Sequence, residues 1–491
     1  MMLKHPNLAL LSLAFSAIAT SRAQEDPATK ACQLLAETLP GLVFFPGTSN
    51  YTSDNFHYGA SSTQNSTCTV EPSTNDDVSA ILKIVGREDV RSPFAVKGAG
   101  HTSNVGFSST TGVMVSLVKF DQITVNDAST TVTVGPGATW DQVYVKLEPL
   151  NLTVVGGRIP GVGVGGLLLG GGYSWFTDQF GLAVDNVVSY DLVLPNGTLV
   201  QVTDYSQPDL SFALKGGYNN FGIVTAFTLK SHPINGIWGG TLSFSANDSE
   251  QVFSAVERFS MNNSDPKAAL ILTYVNVVGL GPLLVADVIY GEPVEQPPAA
   301  FEEILSLPLE GNTAKSRTLT DFTLEEFTVL LSPQIGYTQH VIPTLHYTVP
   351  ILRAMKTQVD AALAKAIADG RSVASVGMNC EPYINDFAHS VDSAYPHSPS
   401  RPVTPGNPLS FYNDVSDRDY FEQLMRGMSE AIQAVTIQEG QGRRDDIHYP
   451  NYALGDTPVE LIYGENLPRL REIKGRVDPE DVMGLSGGFK V

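Results

Sequence analysis

Positive charge is scarce in this chain. Its 491 residues carry 30 lysines and arginines against 51 aspartates and glutamates, for a formal net charge of −21 and a pI near 4.7. That balance excludes the electrostatic attraction on which nucleic-acid and anionic-membrane binding depend. Charged residues of both signs make up only 16 % of the chain and apolar ones 42 %. The composition is therefore far from that of a disordered segment, and the length suits two or three domains. Cysteine is also rare. Cys32, Cys68 and Cys380 are too few to staple a scaffold, and none stands with histidine at zinc-binding spacing, so no metal site is expected. No apolar run reaches the about 18 residues that a membrane helix needs. Internal repeats and low-complexity segments are missing as well.

The N-terminus reads as an export signal. Lys4 and His5 precede a largely apolar stretch, Leu8 to Thr20, and Ser21-Arg22-Ala23 supplies small residues before a cleavage point. Residues 1–23 are expected to be removed after Ala23, which places the protein outside the cell or in the secretory pathway. Six Asn-x-Ser/Thr sequons, at Asn50, Asn65, Asn151, Asn196, Asn247 and Asn262, fit that compartment as glycosylation sites. An oxidising compartment permits a disulfide. Cys32 and Cys68 lie in the same N-terminal region and are paired, leaving Cys380 free; three buried thiols are the alternative.

Glycine is concentrated in one run. Nine of the seventeen residues from Gly156 to Gly172 are glycine. No ordinary helix or strand tolerates that density, whereas backbone that must pass close to a ligand needs it. Gly161, Gly163 and Gly166 fit G-x-G-x-x-G with Asp185 about 20 residues on, the dinucleotide fingerprint. The residues that follow, Leu167 to Gly172, are not expected to open a helix, which argues against that fingerprint. A structural loop without ligand is the other reading.

Short β-rich and helical pieces surround this run. Asn75 to Val85 reads as a helix capped by Asn75 or Asp76, and Phe94 to Val96 as a buried strand entering a second glycine loop, Gly98 to Ser103, that contains His101. Thr130 to Val134, Val187 to Leu194, Thr198 to Thr203 and Ile223 to Leu229 read as strands. Gly216 to Gly222 is a third glycine loop. Further on, Gly239 to Phe244, Leu270 to Val278 and Leu283 to Tyr290 read as strands. Ala300 to Leu305, Ile351 to Ala368 and Asp417 to Val435 read as helices. Pro402 to Pro408 reads as a proline-rich loop bordering a site.

The order of these motifs resembles a family. Gly-Ala-Gly-His, Val-Gly-Pro-Gly-Ala, Val-Gly-Val-Gly-Gly-x3-Gly-Gly-Gly and Asn-Asn-Phe-Gly-Ile-Val-Thr follow the FAD-binding domain of the p-cresol methylhydroxylase/vanillyl-alcohol oxidase superfamily. Tyr449-Pro450-Asn451-Tyr452, Tyr463-Gly464-Glu465-Asn466 and Asp478-Pro479 resemble the closing segment of berberine bridge enzyme-like oxidases, fungal ones above all. The resemblance implies an α+β fold. A two-part FAD-binding domain of vanillyl-alcohol oxidase type would comprise residues 24–235 and 441–491. An antiparallel-sheet substrate domain backed by helices would occupy residues 236–440.

The resemblance also implies roles. Gly98, Ala99, Gly100, Thr102, Ser103, Gly161, Gly163, Gly165 and Gly166 would hold FAD, with Gly137 beside them. Gly217, Gly222 and Ile223 would approach its adenine end. A valine at Gly163 would then lower cofactor loading more than fold stability. His101 would be bonded to the flavin. Many members carry a second, cysteinyl bond, but Ile159 stands at that place, so a single covalent attachment is expected. Tyr452 is the expected catalytic base, with Tyr449 the second candidate and Asn451 holding flavin or substrate. A tyrosine, with pKa about 10, needs a cationic or polar neighbour for that role. The implied activity is oxidation of a small organic substrate (an alcohol, an amine or an activated C–H), with dioxygen as acceptor, by a monomer engaged in secondary metabolism. A carbohydrate oxidase or a dehydrogenase of the same fold is the alternative, and a flavin-carrying protein without turnover a further one.

Overall fold

A computed structural model describes residues 26–326, 335–384 and 387–491. The expected signal peptide lies outside the described residues.

The N-terminal portion builds a four-stranded sheet in the order Val43–Phe44, Cys68–Val70, Val113–Ser116, Phe94–Lys97, in which the last three run parallel. Parallel neighbours need a crossover, and helix Asn75–Val85 supplies one. It starts in a capping box between Thr74 and Asp77, one residue before the expected cap, and buries Val78, Ile81, Leu82 and Val85. Helix Pro27–Thr38 lies against it and places Cys32 in a disulfide with Cys68, as expected; Cys380 is free and buried. The bridge closes a loop of 36 residues. Reducing it, or replacing Cys32 by serine, is expected to lower unfolding free energy by about 2–4 kcal/mol. Thermal melts with and without reductant measure this, and a Cys32→Ser melt equal to the oxidised wild type would contradict it.

A five-stranded antiparallel sheet follows, in the order Ile123–Val125, Thr131–Val134, Ile223–Lys230, Val187–Val193, Leu199–Val202. The glycine-rich run crosses its core, where Trp140 packs in the space left by Gly156 and Gly157: a Cβ on either would meet the indole at 2.2 or 2.4 Å. The run also holds a helix, Val164–Leu169, against the expectation that none would form there. Six residues suffice because Val164 and Leu168 are buried, and tertiary packing outweighs the poor propensity of Gly165 and Gly166. Gly171 and Gly172, at φ +110° and +90°, then turn the chain where other residues would be strained.

The third sheet is antiparallel throughout its longest strands, Ile237–Phe244, Gly281–Tyr290, Ala268–Val277, Val373–Cys380 and Thr404–Tyr412, in that spatial order. Alternation gives it two different faces. Leu242, Leu270, Leu272, Ala286, Val288 and Met378 meet helices Ser249–Asn262, Val349–Ala368 and Arg418–Gln438. Ile237, Ala269 and Ile289 belong instead to the core beneath the glycine-rich run. The segment Pro402 to Pro408, expected as a loop, mostly lies in strand Thr404–Tyr412. Proline lacks only the donor. Pro408 uses its carbonyl, which accepts from His340 N–H at 3.0 Å, and Pro405 stands opposite another proline, Pro343.

The C-terminal segment returns to the N-terminal half. Ile462, Tyr463, Leu470, Ile473 and Phe489 join the core of the five-stranded sheet, and Ser486 bridges to Phe94.

Candidate active site

Strand Phe94–Lys97 delivers the loop that carries His101. Lys97 anchors its base by donating from Nζ to the carbonyls of Asp54 and Ser53 at 2.6 and 3.1 Å. Gly100 takes φ +74°, and a Cβ there would meet Lys97 Cε at 3.0 Å. The backbone N–H groups of Ala99 to Ser103 donate to no acceptor among the described residues. Gly100 and Ser103 are buried and the other three half-buried; buried donors are normally satisfied, and five successive free amides form a ready anion cradle.

The His101 ring stacks on Tyr58 with centroids 4.1 Å apart. Its Nε2 is buried without a hydrogen-bond partner, and burial lowers its pKa to about 4. The imidazole is therefore neutral at physiological pH, with an available nitrogen. Three residues on, Asn104 bolts this loop to the C-terminal segment: Nδ2 donates to Ala453 O at 2.9 Å and Oδ1 accepts from Gly455 N–H at 2.9 Å. His101 and Tyr452 are thus held on adjoining backbone.

The expected cofactor glycines divide into two groups. A Cβ on Gly98, Gly137, Gly217 or Gly222 would meet the chain's own carbonyls, of Pro136, Leu117, Ala213 and Val193, at 2.0–2.7 Å. Backbone packing alone is enough to require glycine at these four positions. Gly161 donates its N–H to Asp141 Oδ1 at 2.9 Å, so that amide is taken. Gly165 packs on Pro136, and only Gly161 and Gly166 face open space. Ile223 is a core residue of its strand. Gly163 touches the His101 loop: a Cβ would stand 2.9 Å from Ala99 Cβ and 3.0 Å from its nitrogen. Gly163→Val is therefore expected to lower stability, by about 1–3 kcal/mol, along with flavin content. The sequence-based expectation is that loading suffers more than fold stability. Melting the apoprotein decides between them, since an unchanged apo midpoint would support it.

Asp185 is not free for a ribose. Its carboxylate accepts from His397 Nε2 at 2.8 Å and from the N–H groups of Leu182 and Val391.

Four side chains from three parts of the chain meet near Tyr452. Arg158 is the one ionisable residue of the glycine-rich run. Its guanidinium grips Glu381 with both ends, at 2.7 and 3.1 Å, and donates to Tyr383 Oη at 2.7 Å and Tyr452 Oη at 2.6 Å. The Tyr452 hydroxyl donates to Glu381 Oε1 at 2.7 Å. Burial pushes the Tyr452 phenol well above its ordinary pKa, with Arg158 opposing and Glu381 adding to the rise. Arg158 is the cationic neighbour that the sequence left unidentified, and Glu381 went unrecognised altogether. A lone arginine among glycines is a legible signal in hindsight; Cys380-Glu381-Pro382 matches no pattern.

The other two candidates, Tyr449 and Asn451, bond to each other and to the backbone around the glycine-rich run. The Tyr449 hydroxyl accepts from Asn451 Nδ2 at 2.9 Å and Tyr173 N–H at 3.3 Å. Asn451 also donates to Leu167 O and accepts from Tyr218 Oη at 2.6 Å, and a Cβ on Gly170 would collide with it at 2.2 Å. Its amide ties the glycine-rich run to the C-terminal segment.

Ile159 is half-buried, next to Arg158. Of the six sequon asparagines, five are exposed; Asn50 is half-buried and donates to Glu71 Oε1 at 2.7 Å. No helix among the described residues is long and apolar enough to cross a membrane, and no cluster of metal-ligating side chains occurs among them.

Comparison with known proteins agrees with this geometry. Residues 66–203 match the family described as FAD binding domain, and residues 448–486 the one described as berberine and berberine like. The FAD-dependent monooxygenase drtC of Aspergillus calidoustus is 35 % identical over 98 % of this chain and 95 % of its own length. The xylooligosaccharide oxidase of Myceliophthora thermophila, solved with xylobiose, superposes with a TM-score of 0.77 at 19 % identity, covering 94 % of this chain and 99 % of the other. The BBE-like 1 protein of Physcomitrella patens gives a TM-score of 0.75 at 20 % identity, over 92 % and 97 %. At those identities the likeness is one of fold.

Proposed function

Because the chain belongs to the berberine bridge enzyme-like family of FAD-linked oxidoreductases, we propose that it oxidises a small organic substrate with Tyr452 receiving the substrate's proton and His101 bonded to the flavin. The free amides of Ala99 to Ser103 and the unpartnered Nε2 of His101 suit FAD: an anion cradle for the pyrophosphate beside a neutral nucleophile. These residues fit the cofactor, and they are the observation that carries the reading. Ile159 offers no sulfur, which supports one covalent attachment. Residues 24–235 with 441–491 would form the FAD domain and 236–440 the substrate domain.

FAD, when bound, supplies the two-electron acceptor for the substrate's C–H bond. The chain supplies the proton path. A substrate hydroxyl would donate to Tyr452 Oη, whose own proton already points at Glu381 Oε1. Arg158 holds both acceptors in place, so the proton moves along existing hydrogen bonds. Positioning of this kind is most of what the protein contributes.

Fungal relatives include a bifunctional solanapyrone synthase from Alternaria solani and several FAD-dependent monooxygenases, which supports a place in secondary metabolism. Dioxygen is the proposed acceptor. Secretion, glycosylation at the five exposed sequons and a monomeric state complete the reading. The test is hydrogen peroxide release across benzylic alcohols, amines and oligosaccharides. Peroxide with any of them supports an oxidase. Turnover only with a dye acceptor makes it a dehydrogenase. Neither, in a flavin-loaded protein, leaves a carrier without activity and overturns the proposal.

A further inference from the structure

The face of the third sheet that turns toward the glycine-rich run carries a line of side chains that ends at Glu381 and whose other members this mechanism does not use. Thr241 stands opposite Asp287, and Asp287 opposite Ile271. Leu272 pairs with Cys380, so Glu381, one residue further, lies beside Ile271. The line therefore reads Thr241, Asp287, Ile271, Glu381. Ala286 and Val288, on either side of Asp287, point into the helix-backed core, whereas Ile289 packs in the other one. Asp287 thus shares its face with the residues around Tyr452.

Asp287 is half-buried. Its carboxyl accepts one hydrogen bond, from Thr241 Oγ1 at 2.8 Å, and it forms no ion pair among the described residues. Burial raises its pKa to about 6, with the hydrogen bond from Thr241 opposing the rise. Arg158, the cation of this region, is committed to Glu381. A half-buried carboxylate with one neutral donor keeps acceptor capacity to spare, and groups whose pKa is perturbed concentrate at functional sites.

A second observation lies above the line. The Trp175 indole is 3 % exposed, and its Nε1 has no hydrogen-bond partner. Its ring lies 5.8 Å from the Arg158 guanidinium and 5.5 Å, edge-on, from the Phe322 ring. Phe322 belongs to helix Leu319–Glu326, which packs on the strand that carries Thr241. Gln179, four residues after Trp175, packs on Gly291 at the end of the Asp287 strand, and its Nε2 is buried without a partner. Buried donors of this kind are uncommon.

We propose that Asp287 is a specificity-determining residue of the substrate site, accepting a hydrogen bond from a hydroxyl or protonated amine at the far end of the substrate. Two strand spacings separate it from Glu381, so that donor lies roughly 10 Å from the reacting carbon. The substrate class is an amphipathic molecule with an apolar body over Ile271 and a hydrogen-bond donor at its distal end. A distal carboxylate is disfavoured. This inference rests on the proposed oxidation at Tyr452.

The test uses the flavin-loaded enzyme and three matched probes: 4-(3-hydroxypropyl)benzyl alcohol, 4-(3-aminopropyl)benzyl alcohol and 4-butylbenzyl alcohol. Apparent Kd is read from the perturbation of flavin absorbance under anaerobic conditions. At least one donor-bearing probe is expected to bind ten-fold or more tightly than the butyl probe. In Asp287→Ala that preference is expected to vanish. In Asp287→Asn it is expected to persist within three-fold if a hydroxyl is the natural donor, and to fall ten-fold if an ammonium is. Flavin content and thermal midpoint of each variant report folding; the ranking in the unmodified enzyme decides even where a variant fails to fold. Equal affinities for the three probes, no binding by any, or an unchanged ranking in Asp287→Ala overturns the proposal. A protein without flavin would instead refute the functional reading beneath it.

Discussion

His101→Ala is expected to release all of the protein's flavin on acid precipitation: a colourless pellet, with the FAD in the supernatant, where the unmodified enzyme gives a yellow pellet. The effect is all-or-none because a covalent bond is either present or absent. The geometry prepares that bond. Tyr58 fixes the imidazole plane by stacking, burial keeps the ring neutral, and Nε2 meets no other acceptor or donor. A protonated imidazole has no lone pair for attack, so the low pKa is part of the preparation. Exchange of flavin by dilution should become possible in the variant, since only the amides of Ala99 to Ser103 and the surrounding contacts would retain it. The thermal midpoint of the apoprotein should fall modestly, because the variant loses the buried imidazole that stacks on Tyr58. A His101→Ala pellet as yellow as the unmodified one would assign the bond elsewhere. A colourless pellet from the unmodified enzyme, with full FAD in solution, would keep the fold and remove His101 from the bonded role.

The sequence made the cofactor half of the molecule legible, and for a physical reason. Glycine records close approach of backbone, so the three loops announced themselves, and the order of their motifs pointed to one family. What glycine does not record is which partner approaches. At Gly98, Gly137, Gly217 and Gly222 the partner is the chain's own carbonyl, a fact fixed by tertiary packing that no local pattern carries. The helix Val164–Leu169 was hidden for a similar reason: its propensity is poor and its stability comes from burial. Long periodic elements such as Val349–Ala368 were read to within a few residues. Glu381 illustrates the limit of local reading. Its partner Arg158 is 223 residues away in sequence, and the pair exists only because the third sheet folds onto the glycine-rich run. A buried ion pair of that kind is poor evidence of stability, since desolvation offsets most of its attraction. Its retention beside Tyr452 is better explained by a task.

That task sets the second large effect. Tyr452→Phe is expected to slow anaerobic flavin reduction by about 100-fold to 10,000-fold, the usual range for losing a positioned proton acceptor. Tyr449→Phe should stay within about three-fold, because its hydroxyl only accepts from Asn451 and a backbone N–H and reaches neither Arg158 nor Glu381. The contrast separates the two tyrosines of Tyr449-Pro450-Asn451-Tyr452 by role and not by proximity, since their rings are in edge contact at 4.9 Å. The phenylalanine at 452 leaves Arg158 still bound to Glu381 at both ends, so the charge pair survives and the protein should fold with normal flavin content. Glu381→Gln is the harsher change: it strands the buried guanidinium, a loss of about 3–5 kcal/mol, and is informative only if flavin loading persists. A Tyr452→Phe enzyme that reduces its flavin at the native rate would move the proton acceptor to Glu381 itself, with the substrate hydroxyl bonded directly to the carboxylate. An equal loss in Tyr449→Phe would instead indicate that the whole aromatic cluster, and not one hydroxyl, governs the geometry of attack.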